Sequence, residues 1–168
     1  MVDSAAGVEV LAVAARAEAG EDLGMKAKEF LSELNHDDIV TAIREAEQKT
    51  SGEIRVFISR QEPVDAIAAA QAHFTSLGME KTKERNGVLI YVAPRVRKFA
   101  VIGDAAVHAR CGNVFWEQVA GEMTGHFKKA EFSEGILHGV CKAGRLLAEH
   151  FPRGPGDENQ LPDDIIRD

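Results

Sequence analysis

Three polar clusters in this chain carry oxygen donors of the kind that hold a hard cation: Thr50-Ser51-Gly52-Glu53, Arg85-Asn86-Gly87 and Gly103-Asp104. Glu53, Asn86 and Asp104 offer two carboxylates and one amide carbonyl, and Thr50 and Ser51 add hydroxyl and backbone oxygens. An oxygen-only set of mixed charge suits a divalent cation, with Ca²⁺ preferred here to Mg²⁺. Gly87 and Gly103 let a ligand approach the backbone amides closely, and Arg85 would steady an anion through charge-assisted hydrogen bonds. The candidate metal ligands are therefore Glu53, Asn86 and Asp104, with Thr50, Ser51, Arg85, Asn86 and Gly87 as further binding residues. Asp104 is expected to be the strongest ligand, because it directly follows a buried strand that holds its backbone. Each cluster alone also suits an ordinary structural role: a helix stop at Ser51-Gly52, a turn at Asn86-Gly87, a cap at Asp104. Their weight as a site depends on whether the fold brings them together.

The elements between the clusters predict that it does. Asn35 caps a helix whose first turn holds Asp37 and Asp38 and whose stripe is Ile39, Ala42, Ile43 and Ala46. Ile54, Val56 and Ile58 alternate with Arg55, Phe57 and Ser59 as in a strand. A helix with Pro63 as its first residue and Ile67, Ala70 and Phe74 on its buried face follows, closed by Gly78. Val88 to Val92 is a nearly all-apolar strand, expected at the centre of the sheet and covered on both faces. Lys98 to Gly103 is too close behind it for a helical crossover, so the two form an antiparallel hairpin. Two helices end the body, one through Trp116, Val119, Met123 and Phe127, the other through Ile136, Val140, Ala143 and Leu147 behind a Ser133 cap. The order α-β-α-β-β-α-α makes a Rossmann-like α/β sandwich: a small mixed sheet, one parallel crossover plus one antiparallel hairpin, flanked by helices. Two strand starts and one strand end then share an edge, and the three clusters are those ends.

Composition bounds the partners. The formal charge of −7 resides at the termini: residues 1–24 hold five acids against Arg16, and residues 153–168 hold five against Arg153 and Arg167. The 17 acids and 17 bases between them cancel, so no basic field favours nucleic acid. Three segments are expected: an acidic extension over 1–24 with little packing of its own, an α/β domain over 25–152, and an acidic Pro/Gly-rich tail or strap over 153–168. The alanine-rich stretch 8–19 would form at most a frayed helix. It also faintly imitates a signal peptide, but Asp3 replaces the basic start and Glu9 interrupts the apolar part. No run reaches the length of a membrane span. Cys111 and Cys141 lack any metal-ligand spacing and read as two buried helical thiols or one disulfide. The six histidines form no metal motif; only His108, four residues past Asp104, is placed to face the same edge.

At these residues the chain resembles the TPM domain family, named for a thylakoid lumen protein, a photosystem II repair factor and a nematode receptor regulator. The marks are Phe30-Leu31, Ala42-Ile43-x-x-Ala46-Glu47-x-x-Thr50-Ser51-Gly52-Glu53-Ile54, Arg85-Asn86-Gly87-Val88-Leu89-Ile90, Gly103-Asp104 and Phe115-Trp116. His150-Phe151-Pro152 and Asn159-Gln160-Leu161-Pro162-Asp163 complete a likeness running from about residue 30 to residue 164. The resemblance implies an α/β sandwich of Rossmann type with divalent metal bound at an acidic end. It also implies acid phosphatase activity, as described for a plant member, and a membrane anchor in many members. Phe30-Leu31-Ser32-Glu33-Leu34 stands where many members open on Asp-x-x-Gly-x-Leu, so a metal ligand there would be missing. With no anchor and no evident signal peptide, a stand-alone domain in the cytoplasm is expected, with the periplasm or a membrane-peripheral place as the alternative.

Two functions follow. The first is a divalent-cation-binding accessory module that assists a protein partner, at a membrane in one version. The second is a metal-assisted phosphomonoesterase, in which the cation polarises a phosphoryl oxygen and lowers the pKa of a bound water. No nucleophile or general acid stands out, which favours the module.

Overall fold

The computed structural model describes residues 26–157 and 163–168 together with the backbone of strand β1, Val13–Arg16. After β1 come α1 (Ala27–Glu33), α2 (His36–Glu47), β2 (Glu53–Ile58), α3 (Ala66–Ser76), β3 (Gly87–Ala93) and β4 (Lys98–Gly103). Helices α4 (Ala105–Lys128) and α5 (Phe132–His150) follow, and β5 (Ile165–Arg167) closes the described chain. The five strands make one mixed sheet in the order β1-β4-β3-β2-β5. β2 runs parallel to β3 and to β5, while β4 is antiparallel to both β3 and β1. The expected α/β sandwich, with its parallel crossover and antiparallel hairpin, is the architecture found.

Local chemistry explains most boundaries. The Asn35 side chain accepts from the Asp38 amide and starts α2. Asp65, not Pro63, starts α3: its carboxylate accepts from the amides of Ile67 at 2.9 Å and Ala68 at 3.2 Å. An Asp carboxylate satisfies two open donors at once, which Pro63 two residues earlier cannot do. Gly78, at φ 71°, ends that helical run in the left-handed region as its composition predicts. Glu131 rather than Ser133 occupies the N-cap of α5, and the Ser133 hydroxyl accepts instead from the Asn35 amide at 2.8 Å. α4 turns at Gly112, whose φ of 67° breaks the helical path between the turns around His108 and the long segment carrying Trp116.

Every residue of β3 is buried, as its apolar run predicts. One face of the sheet (Ile54, Val56, Val88, Ile90, Val101) packs against Ile39, Ile43, Trp116, Val140 and Leu147 from α2, α4 and α5. The other (Phe57, Leu89, Tyr91, Ile102) packs against Ala66, Ala70 and Phe74 of α3. β2 is likewise buried along its whole length, so Arg55 is enclosed although alternation puts it on the solvent side. The cause is β5, which covers the β2 edge with Val56 beside Ile165.

The acidic termini supply both sheet edges. Val13–Arg16 is a strand and not the helix expected over 8–19: it pairs with β4, Val13 opposite Val101 and Arg16 opposite Lys98. An open ladder of amides and carbonyls on β4 outweighs alanine's intrinsic helical preference. The remainder of that expected helix lies outside the described residues. At the other end Ile165 is buried against the core.

Candidate functional site

Strand pairing sets the frame of the site. Glu53 lies opposite Gly87, and Gly103 opposite Val88. The starts of β2 and β3 and the end of β4 therefore meet on one sheet edge, as strand direction requires. Two close approaches hold the junction tight. A Cβ on Gly52 would come within 2.9 Å of Leu147 and 3.0 Å of the Asn86 carbonyl, and one on Gly103 within 2.7 Å of the Trp116 ring. Larger residues at either place would push the edge apart.

Asp104 is fully buried and its carboxylate is occupied on both oxygens. Arg85 Nε donates to Oδ2 at 2.8 Å and Nη2 to Oδ1 at 2.9 Å, a two-point ion pair, while the Ala105 amide donates to Oδ1 at 2.7 Å. The Asp104 amide donates to the Gly87 carbonyl at 2.9 Å and the Ala106 amide to the Arg85 carbonyl at 3.2 Å. Asp104 thus clasps the β3 entrance to the first turn of α4. Arg85 holds left-handed backbone geometry, φ 52°, which the clasp stabilises against its steric cost. The hydrogen bond to Asp104 is the main reason the Arg85 guanidinium is held above its ordinary pKa.

Asn86 is buried beside this clasp. Its amide nitrogen Nδ2 donates to Ser51 Oγ at 3.1 Å and to Glu84 Oε2 at 3.3 Å, and Ser51 Oγ donates to the same Glu84 oxygen at 2.6 Å. Its carbonyl oxygen Oδ1 is buried with no hydrogen-bond partner among the described residues. Ser51 is therefore at the edge as expected. Thr50 is turned away: its hydroxyl donates to the carbonyls that end α5, at Leu147 and Phe151, and accepts from the Gly52 amide at 3.0 Å.

Glu53 shares the edge in register but acts within a second group, where β2 meets β5. Burial draws the Arg55 guanidinium below its ordinary pKa, and Glu53, Glu47 and Asp164 pull it back. Glu47 Oε1 accepts from the Ile54 amide at 2.8 Å. Its carboxyl is pushed up to about 10, first by burial and then by its hydrogen bond to Asp163. Asp163 of the strap thus lies beside Glu47 at the end of α2. Arg44 to Asp163 (3.8 Å) and His36 to Asp164 (3.0 Å) reinforce this contact on the surface.

Glu84, Glu47, Arg55 and Asp163 were not singled out from sequence. The only signal was their position within or next to the marked motifs; nothing local told that Arg55 is enclosed or that Glu47 meets a residue from the far end of the chain. Among the described residues no group of three or more His, Cys, Asp and Glu side chains is arranged to hold a metal ion. The His108 side chain is partly buried, with Nδ1 lacking a hydrogen-bond partner among the described residues. His126 and His138 face each other across the α4–α5 seam, bonded to Glu131 and Glu122 respectively. Both cysteines are free; Cys141 is exposed rather than buried, and burial pushes the Cys111 thiol up to about 11.

The geometry can be set against known proteins. The NMR structure of the BA42 protein from the psychrophilic bacterium Bizionia argentinensis superimposes with a TM-score of 0.74 at 35% identity, covering 89% of this chain and 99% of that one. No curated protein matches the chain. Residues 25–146 match the family model described as the TPM domain, which takes in all three edge clusters, so the chain belongs to the TPM domain family.

Proposed function

We propose that this TPM domain is an accessory module that takes a divalent cation at the Asn86 edge and assists a protein partner. The observation that supports it most is the buried Asn86 Oδ1, an acceptor with no hydrogen-bond partner among the described residues. Such a carbonyl costs about 1–3 kcal/mol when left unsatisfied, and a hard cation offsets that cost. Asn86 Oδ1, the exposed Glu84 carboxylate and the Ser51 hydroxyl are the oxygens that would hold the ion, and Glu53 adds negative charge along the same edge. One direct carboxylate with neutral oxygens suits Ca²⁺ better than Mg²⁺, at an affinity on the order of millimolar. Asp104, with both oxygens engaged, serves by fixing the loop and not as the first ligand.

The phosphomonoesterase reading has less support. It needs a cationic side chain free to meet a phosphoryl group, and Arg85 is committed at two points to Asp104. Calcium titration followed by amide NMR and thermal melts tests both. Residues 84–87 and the Asn86 side-chain amide should shift saturably, and the melting temperature should rise with ion concentration, as binding to the native state requires. Glu84→Gln should weaken both responses. Absence of any shift at Asn86 up to about 10 mM Ca²⁺ removes the cation reading. Turnover of p-nitrophenyl phosphate that is lost in a folded Arg85→Gln variant favours the enzyme.

A further inference from the structure

The opposite end of the sheet carries a second feature, independent of the cation reading. A cavity of about 480 Å³ opens between α1 and the ends of β2 and β5, lined by Ala27, Lys28, Leu31, Arg60, Arg167 and Asp168, with Ser32 at its rim. Its size falls within the range of small-molecule sites. It lies outside the carboxyl ends of two adjacent parallel strands, where open α/β sheets place their ligands. Measured along β2 it is roughly 17 Å from the Asn86 edge, at about 3.3 Å per residue.

Charge decides what it would take. Three cations line the hollow against one carboxylate, in a chain whose net charge is −7. The Asp168 carboxylate is turned into the strand ends: Oδ2 accepts from the Ser59 hydroxyl at 2.6 Å and Oδ1 from the Arg60 amide at 2.6 Å, with Arg60 Nε at 3.7 Å. Lys28 and Arg167 line the cavity and form no ion pair among the described residues. The positive side chains of the lining outnumber the negative ones. Two guanidinium groups prefer oxyanions that accept two parallel hydrogen bonds. Ala27 and Leu31 give one wall an apolar surface for a short carbon body.

We propose that this cavity binds a small oxyanion, of the phosphate or dicarboxylate kind, on Lys28, Arg60 and Arg167. The full-length protein is titrated separately with inorganic phosphate, succinate and acetate at constant ionic strength, while the amides of residues 28, 60 and 167 and the arginine Nε signals are followed by NMR. Phosphate or succinate should shift them saturably, with Kd on the order of millimolar, and the stronger of the two identifies the headgroup. Arg167→Gln and Lys28→Gln, both at exposed positions, should each weaken binding about three- to fivefold, as partly solvated contacts do. Lys129→Gln, at the end of α4, should leave it unchanged. Shifts that grow linearly without saturation, acetate binding as tightly as the dianions, or an equal loss in Lys129→Gln would each overturn the proposal.

Discussion

Glu47 and Asp104 show how burial sorts carboxylates into different work. Asp104 is matched at two points by a guanidinium, whereas Glu47 meets another acid and keeps its proton. The Glu47 pKa is raised on folding, from 4.5 to about 10, so the native state holds a proton that the unfolded chain releases across that window. Stability from this group is then complete below about 4.5 and is lost as pH rises toward 10, by at most about 1.4 kcal/mol per pH unit. Glu47→Gln should therefore raise stability at pH 8 and flatten the slope between pH 5 and 9, read from urea melts at each pH. An unchanged slope in the variant would show that Glu47 is ionised in the fold. For Asp104→Asn the expected direction is opposite. Neutralising the clasp leaves Arg85 without its counter-charge and should cost about 1–3 kcal/mol, the lower part being favoured because water reaches Arg85. Chemical denaturation of the ion-free protein measures it, and an unchanged midpoint would return Asp104 to the role of a held but unused ligand.

At the scale of elements, the two short edge strands do more than their length suggests. β5 contributes three residues, yet it shields the β2 edge, buries Ile165 and brings Asp163 and Asp164 against Glu47 and Arg55. Deleting residues 163–168 should lower stability by about 2–4 kcal/mol, from one buried isoleucine and the loss of partners for buried charge. Urea melts of the shortened chain decide this, and a loss under about 0.5 kcal/mol would mean that β5 is only a loosely held cover. β4 has the same arrangement on its outer side, where β1 completes the ladder. The edges that remain are strands of only four and three residues, a short template for another chain.

For the molecule as a whole, the three-layer arrangement leaves the two ends of the sheet with different chemistry. The Asn86 end carries acids and neutral oxygens, whereas the far end carries cations around a hollow. No helix among the described residues is long and apolar enough to cross a membrane. If both proposals hold, the domain meets a cation and a small oxyanion at opposite ends of β2. Calcium saturation should then leave the phosphate affinity of the far cavity within about twofold, because no charged network among the described residues joins the ends. A larger coupling, measured by repeating the phosphate titration in saturating Ca²⁺, would show that strand β2 carries a signal between them.

By itself the sequence determined the layers, the three central strands and the edge on which the polar clusters meet. Those features rest on local periodicity and on short connections, which restrict topology before any distant contact forms. Val88 to Val92 could only be central, and Asp104 could only follow a strand. The tertiary structure alone decided which polar groups are partnered and by what. Arg55 is flanked by a strand that arrives from more than a hundred residues away, and the Glu47 carboxyl is pushed up first by burial and then by Asp163, which arrives with that strand. Alanine-rich Val13–Arg16 became a strand because β4 had an open edge. Pairing and burial of this kind are set by the field and packing of distant segments, to which local propensity is blind.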